Sequence, residues 1–428
     1  MKSYTFNNFT VTLDKKGSSE YFKVSYPIRY GSFSEIKTRE FIFQFNLNGE
    51  IKYIQGIGKN WPHPAEWLKR TVANDWLYYS ADSYSGVYDF FGEYYLPCPS
   101  YNSNSVTNRN PFNAKEIESA FESFKVLLDE IERLNFSNIQ GDLKAFFITI
   151  VKNNTKSLAK RAERLHNIIG DQITVLPPDT RHVDYDVIPL IIADGCLYNC
   201  GFCTVKSGKP FSPRSEENIL KQIYSLKELY AQDIHNYNAI FLGQHDALFA
   251  SVELIEFAAK NAYEILDIQR SNLKNSYLFI FGSVDSLTNQ GDHLFELLNN
   301  LPFYTYINIG LESADPETIA MLQKPLTVKA TNDAFLRMID INRRYSNIEV
   351  TANFVLGDDM PQGHLPSIID LATNSLGHFY TKGAIYVSPL MNTKGKKAYV
   401  NRKTILKEFN EIKRHSRLPA YIYLIERL

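Results

Sequence analysis

From about residue 185 the chain changes rhythm, and that change restricts the fold more than any other feature. Short apolar, β-branched runs occur at 186–193, 239–242, 277–281, 304–309, 349–356 and 384–387. Stretches with helical periodicity fill the intervals, at 215–230, 251–269, 292–300, 316–321 with 328–344, and 365–374. Such runs read as strands and amphipathic helices. Strands separated by helices lie parallel, because the crossover returns the chain to the same end of the sheet. Right-handed crossovers then curl the six units into a full or partial α/β barrel. Chemistry in that architecture belongs on the loops that follow the strands.

The first 180 residues read differently. "YTFNNFTVTL", "EYFKVSYPIRY" and "REFIFQFNL" are aromatic and β-branched, and Asn48-Gly49 suits a hairpin turn. A Tyr/Trp-rich segment follows, with Trp61, Trp67, Trp76, Tyr78, Tyr79, Phe90, Phe91, Tyr94 and Tyr95. It serves either as a buried aromatic core or as the lining of a substrate cavity. Asn113 starts a helix, a second long helix is expected over 142–169, and the prolines of "VLPPDT" mark a boundary near residue 180. The expected organisation is an α+β amino-terminal domain over 1–180, packed on a barrel over 181–390, with a carboxyl-terminal extension over 391–428.

The loop after the first barrel strand reads "ADGCLYNCGFCTVKSG" and carries three of the four cysteines of the 428-residue chain. Cys196, Cys200 and Cys203 are spaced C-x3-C-x2-C, and Gly195 and Gly201 let the backbone curl around a centre. Soft thiolates select zinc or iron–sulfur clusters. A closed zinc site needs a fourth ligand, usually from a second pair. Three thiolates suit a four-iron cluster with one iron left open. A non-catalytic iron–sulfur or zinc-binding protein is the alternative reading. The remaining Cys98 is a small buried hydrophobe, a distant ligand or a reactive thiol.

This triplet, with Phe202 before its last cysteine, resembles the radical S-adenosylmethionine (radical SAM) superfamily. "AIFLGQHDALF" is similar to that family's turn after the second strand, "INIGLESADPETIAMLQKP" to its fourth-strand segment, and "VTANFVLGDD" to its fifth. The likeness covers about residues 185–390. It implies a partial (β/α)6 TIM-type barrel, a four-iron, four-sulfur (4Fe-4S) cluster on the three cysteines, and S-adenosyl-L-methionine as cosubstrate. It also implies an oxygen-sensitive enzyme in which reductive cleavage of the sulfonium gives a 5′-deoxyadenosyl radical that takes hydrogen from a substrate.

Carried over residue by residue, the resemblance puts Phe202 over the adenine, or else in the core. Gly243 makes the turn near the methionine amino group. That turn departs from the family's Gly-Gly-Glu, since Gln244, His245 and Asp246 follow Gly243. Asp246 can accept from an ammonium; His245 supports the site or sits at the surface. Glu312 ends an apolar strand, where a carboxylate needs a partner, in the methionine moiety or a ribose hydroxyl. Ser283 caps a turn or contacts the ligand. Asn353 meets the ribose or makes a core hydrogen bond. "KGKK" at 394–397 reads as a solvated loop.

Net charge is −1, which argues against nucleic acid as a partner. No apolar run approaches a membrane span, and the amino terminus has no signal-peptide core. A cytoplasmic enzyme acting on a small molecule, reduced by a flavodoxin or ferredoxin, is expected. With one cysteine left over, a second four-cysteine cluster within this chain is excluded. "DIHNYN" lacks the glycine of a cobalamin motif.

Overall fold

The computed structural model describes residues 1–21, 29–59, 61–62, 64–80, 96–99, 111–134, 136–139, 141–203, 208–243, 245–390, 402–423 and 428. Eight strands open the chain: β1 Lys2–Thr5, β2 Thr10–Lys16, β3 Ser32–Lys37, β4 Phe41–Phe45, β5 Ile51–Gly56, β6 Trp67–Arg70, β7 Trp76–Ser80 and β8 Leu96–Pro99. They form one antiparallel sheet in sequence order. Gly49, at φ +70°, turns β4 into β5. Alternating side chains such as Val11, Leu13, Ile36, Phe43, Phe45 and Ile54 build a core on one face. Three helices cover it: α1 Lys115–Glu132, α2 Gly141–Lys152 and α3 Thr155–Ile169.

The single helix expected over 142–169 is two. Asn154 interrupts it, and its side chain accepts from the Ser157 N–H at 3.1 Å, capping α3. An Asn at that position competes with the helix for backbone hydrogen bonds and starts a new one. The break lets α3 turn towards the barrel. Leu158 joins the core of the antiparallel sheet, while Leu165 and Ile169 join the barrel core.

Trp61 and Tyr78 lie in the sheet's core, and Trp67 stacks on Tyr79 at 4.8 Å in a smaller buried cluster with Tyr53 and Leu77. Those aromatics are core rather than cavity lining. Phe90, Phe91, Tyr94, Tyr95, the Cys98 side chain and "KGKK" lie outside the described residues and side chains.

The second sheet is parallel and seven-stranded. Its order is β9 Ile188–Pro189, β12 Ala239–Phe241, β13 Tyr277–Gly282, β14 Tyr304–Glu312, β15 Ile348–Leu356, β16 Ile385–Pro389 and β17 Ala420–Ile422. Helices α4 Glu216–Tyr230, α5 Val252–Ile265, α6 Val284–Asn289, α7 Asp292–Asn300, α8 Pro316–Met321, α9 Val328–Arg344, α10 His364–Thr373 and α11 Arg402–His415 occupy the crossovers. Strands buried on both faces over most of their length, such as Ile348–Leu356, where Glu349 and Asn353 are half-buried, read as largely apolar runs. The first strand is much shorter than the run at 186–193. After Pro189 the chain leaves the sheet, and Ala193–Asp194 (β10) pairs with Ser212–Pro213 (β11) to form the neck of the cysteine loop.

The sheet also extends one strand beyond the six marked in the sequence. β17 pairs in parallel with β16, Ile385 opposite Ala420. The segment after 390 therefore continues the partial barrel rather than standing apart as an extension. Three residues in "LPAYIYL" are too short to signal a strand on their own.

Buried charge joins the two units. Lys69 of β6 is 1% exposed and reaches Asp184 Oδ2 at 3.1 Å and Asp186 Oδ2 at 3.0 Å. Lys52 of β5 meets Asp186 at 3.0 Å. Asn46 donates to Asp233 at 2.9 Å, and Asn48 donates to the Tyr230 carbonyl at 2.8 Å. The "PPDT" segment is a buried turn, with Asp179 and Thr180 fully enclosed. No described helix is long and apolar enough to cross a membrane.

Candidate active site

The cysteine loop is clamped at its neck. Arg214 holds Asp194 through two hydrogen bonds, at 2.6 and 2.9 Å, and donates a third to the Ile169 carbonyl at 2.7 Å. The planar guanidinium thus ties β10 to the end of α3. Arg214 holds the Asp194 carboxyl below the usual range. Gly195 has φ +74°, and a Cβ there would lie 2.3 Å from the Pro210 carbonyl oxygen, so only glycine fits. Gly201 donates its N–H to the Leu322 carbonyl at 3.1 Å, docking the loop on the end of α8.

Cys200 is buried, and Cys196 and Cys203 are half-buried. Burial pushes the Cys196 thiol up to about 12, with the nearby Asp246 carboxylate adding to the effect. Burial also raises Cys200, while the Lys324 ammonium opposes it. Thiols so raised are neutral near pH 7 until a metal takes the place of their protons. Among the described residues, no three His, Cys, Asp or Glu side chains converge on a point where one ion would sit. Zinc would require every sulfur about 2.3 Å from a single centre. A four-iron cube takes each thiolate on a different iron, so its ligands stand further apart. Three soft thiolates on one loop, without a second ligand pair beside them in the sequence, fit such a cluster better than a closed zinc site.

The other strand ends surround this loop. Gly243 follows β12 with φ +88°. A Cβ there would have room, 3.8 Å from the nearest atom, so the dihedral angle rather than crowding requires glycine. Gln244 lies outside the described residues. His245 is buried, with Nδ1 3.4 Å from the Cys196 sulfur. Burial lowers its pKa, which keeps the ring neutral. Asp246 is 5% exposed. Its Oδ1 accepts from the Ser283 N–H at 3.0 Å, and its Oδ2 has no hydrogen-bond partner among the described residues. Burial raises its pKa, opposed by the Ser283 and Ser286 hydrogen bonds. Ser283 itself caps α6, accepting from the Ser286 N–H at 3.0 Å. Phe202 is half-buried on the loop.

Glu312 ends β14 at φ +66°, after a bulge between Gly310 and Glu312. That conformation costs a non-glycine residue roughly 1–3 kcal/mol and collects at functional sites. Lys324, 7% exposed, holds it: the ammonium donates to the Gly310 carbonyl at 2.5 Å and to Glu312 Oε1 at 3.1 Å. Gly310 leaves the space for this, since a Cβ there would lie 2.4 Å from Glu312 Oε1. Below the bulge, Ser313 hydrogen-bonds His364 Nδ1 at 2.9 Å, and His364 Nε2 donates to the Val355 carbonyl at 2.7 Å. The Tyr198 hydroxyl, from the cysteine loop, accepts from the Asp285 N–H at 3.1 Å. Asn353 donates to Asn308 Oδ1 at 2.7 Å, and its own carbonyl oxygen is buried without a partner among the described residues.

The structure therefore gathers Cys196, Cys200, Cys203, Phe202, Gly243, His245, Asp246, Ser283, Glu312 and Asn353 on the carboxyl ends of the barrel strands. Sequence reasoning missed Lys324, Tyr198, Arg214 and His364. Lys324 follows a short helix in "AMLQKP", where a lysine before proline reads as a solvated helix end, and nothing local marks it as buried.

Residues 190–372 match the Radical SAM superfamily. That segment of the barrel is a radical SAM domain, and members of that superfamily use a 4Fe-4S cluster and S-adenosylmethionine. Similar solved structures include a radical SAM methyltransferase from Sphaerobacter thermophilus, 15% identical, covering 55% of this chain and 65% of that one, with TM-score 0.37. SuiB from Streptococcus suis is 10% identical, with 86% and 72% covered and TM-score 0.35. Methylornithine synthase (PylB) is 13% identical, with 68% and 78% covered and TM-score 0.35. This chain thus spans less than two thirds of the methyltransferase's length. No curated protein sequence matches it.

Proposed function

We propose that Cys196, Cys200 and Cys203 hold a 4Fe-4S cluster at the barrel mouth and that the surrounding strand ends hold S-adenosylmethionine for a radical reaction on a small molecule. When bound, the cluster supplies the electron that breaks the sulfonium carbon–sulfur bond. This chain's residues do the holding and the screening. Asp246 offers its unpartnered oxygen to the cosubstrate ammonium. Lys324 brings a positive charge to the carboxylate and keeps Glu312 turned towards the mouth. Asn353 accepts from a ribose hydroxyl, and Phe202 covers the adenine. His245, neutral and buried against Cys196, shields the cluster side from water. The amino-terminal unit, locked on by Lys69 and Lys52, closes the flank of the partial barrel, which protects a reactive intermediate.

The observation that carries this reading is the joint placement of three buried or half-buried thiols with a buried carboxylate oxygen that has no partner among the described residues. The reaction takes place in the cytoplasm, with a flavodoxin or ferredoxin as reductant and without nucleic acid. Anaerobic reconstitution tests it. The protein should turn brown, hold about four irons per chain, and form 5′-deoxyadenosine and methionine with dithionite. Cys200→Ala should lose both properties.

A further inference from the structure

Side chains between β14 and β17 form a chain of hydrogen bonds whose direction is fixed from one end. Asp179 is fully buried in the turn before β9. Its Oδ1 accepts from the Tyr386 hydroxyl at 2.9 Å, and that hydroxyl accepts from Arg181 Nε at 3.0 Å. When the carboxyl is ionised, above about pH 7, its Oδ2 accepts from the Thr351 hydroxyl at 2.7 Å. A hydroxyl has one hydrogen. Having given it to Asp179, Thr351 presents only lone pairs to Asn308. Asn308 therefore turns its NH2 to Thr351, at 2.9 Å, and its carbonyl to Asn353. Asn353 gives its NH2 to that carbonyl at 2.7 Å. Its own Oδ1 is left over, buried and without a partner among the described residues.

Buried acceptors are rarely left unmade, so this one implies a donor that arrives with a ligand. Asn353 stands opposite Gly310 in the β14–β15 register. It therefore sits one level inside the Glu312–Lys324 pair that crowds over Gly310. A free amide can rotate and offer either edge, but one anchored through Thr351 to a carboxylate offers its oxygen. Asp179 and Tyr386 lie outside the segment that matches the family, residues 190–372.

We infer that Asp179, Thr351 and Asn308 are positioning residues: they hold the Asn353 carbonyl oxygen as the acceptor for a ribose hydroxyl of the cosubstrate. The inference rests on the cofactor reading above. Calorimetric titration of full-length, cluster-loaded protein under anaerobic conditions, at a pH above the Asp179 titration at about 7, tests it, with S-adenosylhomocysteine and its 2′-deoxy and 3′-deoxy analogues as probes. Thr351→Val keeps the shape and removes the anchor; it should weaken S-adenosylhomocysteine binding about tenfold, the scale of one hydrogen bond. Thr351→Ser should restore it. One deoxy analogue should bind about tenfold more weakly than the parent to wild type and no more weakly than the parent to Thr351→Val. Asn353→Ala should repeat that pattern. Folded, cluster-loaded Thr351→Val and Asn353→Ala proteins that bind like wild type would overturn the relay alone. So would deoxy analogues that lose equally on wild type and variants. A wild-type chain that takes up no cluster and binds no probe would overturn the cofactor reading, and this inference with it.

Discussion

Two of the places where the molecule buries polar groups are treated in opposite ways. At the junction of the antiparallel sheet and the barrel, charges meet charges. Lys69 meets Asp184 and Asp186, Lys52 meets Asp186, and Glu50 meets both Arg70 at 3.3 Å and Arg161 at 2.7 Å. Asp233, pushed up to about 6 by burial, accepts from Asn46, Asn236 and the Leu47 N–H. At the barrel mouth, by contrast, Asp246 and Asn353 each keep an oxygen with no partner among the described residues. Burial is similar, but the outcome differs. A paired buried charge fixes how two units dock; an unpaired acceptor is costly unless a ligand completes it. Among the described residues, unpartnered oxygens also occur at the other end of the barrel, on Asn238 and Thr305, so it is their position beside the cysteine loop that ties Asp246 and Asn353 to function.

The largest effect that would sharpen this contrast is at the junction. Lys69→Ala leaves Asp184 and Asp186 without their buried ammonium, and removal of one partner of such a set costs roughly 3–5 kcal/mol. Denaturant unfolding of the protein should show that loss. The fraction that remains folded should bind cosubstrate with unchanged affinity. A variant as stable as wild type would make the junction charges dispensable.

At the mouth the balance reverses. Glu312→Gln keeps an acceptor for Lys324 but removes the charge it is paired with, so it should cost some stability and should weaken S-adenosylmethionine binding by roughly 1–3 kcal/mol, the range for a lost hydrogen bond to a charged group. Calorimetry reads it directly. A large fall in melting temperature with unchanged affinity would move Glu312 to the architectural side.

A third effect is a pH slope inside the barrel. Burial raises the Asp179 carboxyl from near 3.8 to about 7; Glu349 adds to the rise, and Thr351, Tyr386 and Arg181 oppose it. Between those values the folded protein holds a proton that the unfolded chain has released. Stability from this group is therefore greatest at low pH, declines as pH rises from about 4 to about 7, and is level above that. Asp179→Asn should remove that decline. Unfolding free energies of wild type and variant across pH 4 to 8 check it: parallel curves would mean that Asp179 does not titrate in that window.

The same contrast explains what was legible from the sequence. Six strand positions, the cysteine loop and the strand-end residues Asp246 and Glu312 were readable because each announces itself locally, by apolar runs or by unusual residues at fixed spacing. The split at Asn154, the strand at Ala420–Ile422 and the burial of Lys324 were not. Lys324 acquires its partners only when the bulge at Gly310 turns Glu312 towards it. Asp179 is 172 residues from Thr351 and 207 from Tyr386, and only the closed barrel brings them together. Long-range polar pairing has no period for a sequence pattern to reveal.

The central claim is that three cysteines hold an iron–sulfur cluster open to a ligand beside the Asp246 and Asn353 oxygens of the mouth. Electron paramagnetic resonance of the reconstituted, dithionite-reduced protein tests it most directly, recorded before and after S-adenosylmethionine is added. The account predicts the signal of a reduced four-iron cluster whose line shape changes on addition and which is absent from Cys200→Ala. A cluster signal indifferent to S-adenosylmethionine, or a colourless protein with one tightly held zinc, would contradict it.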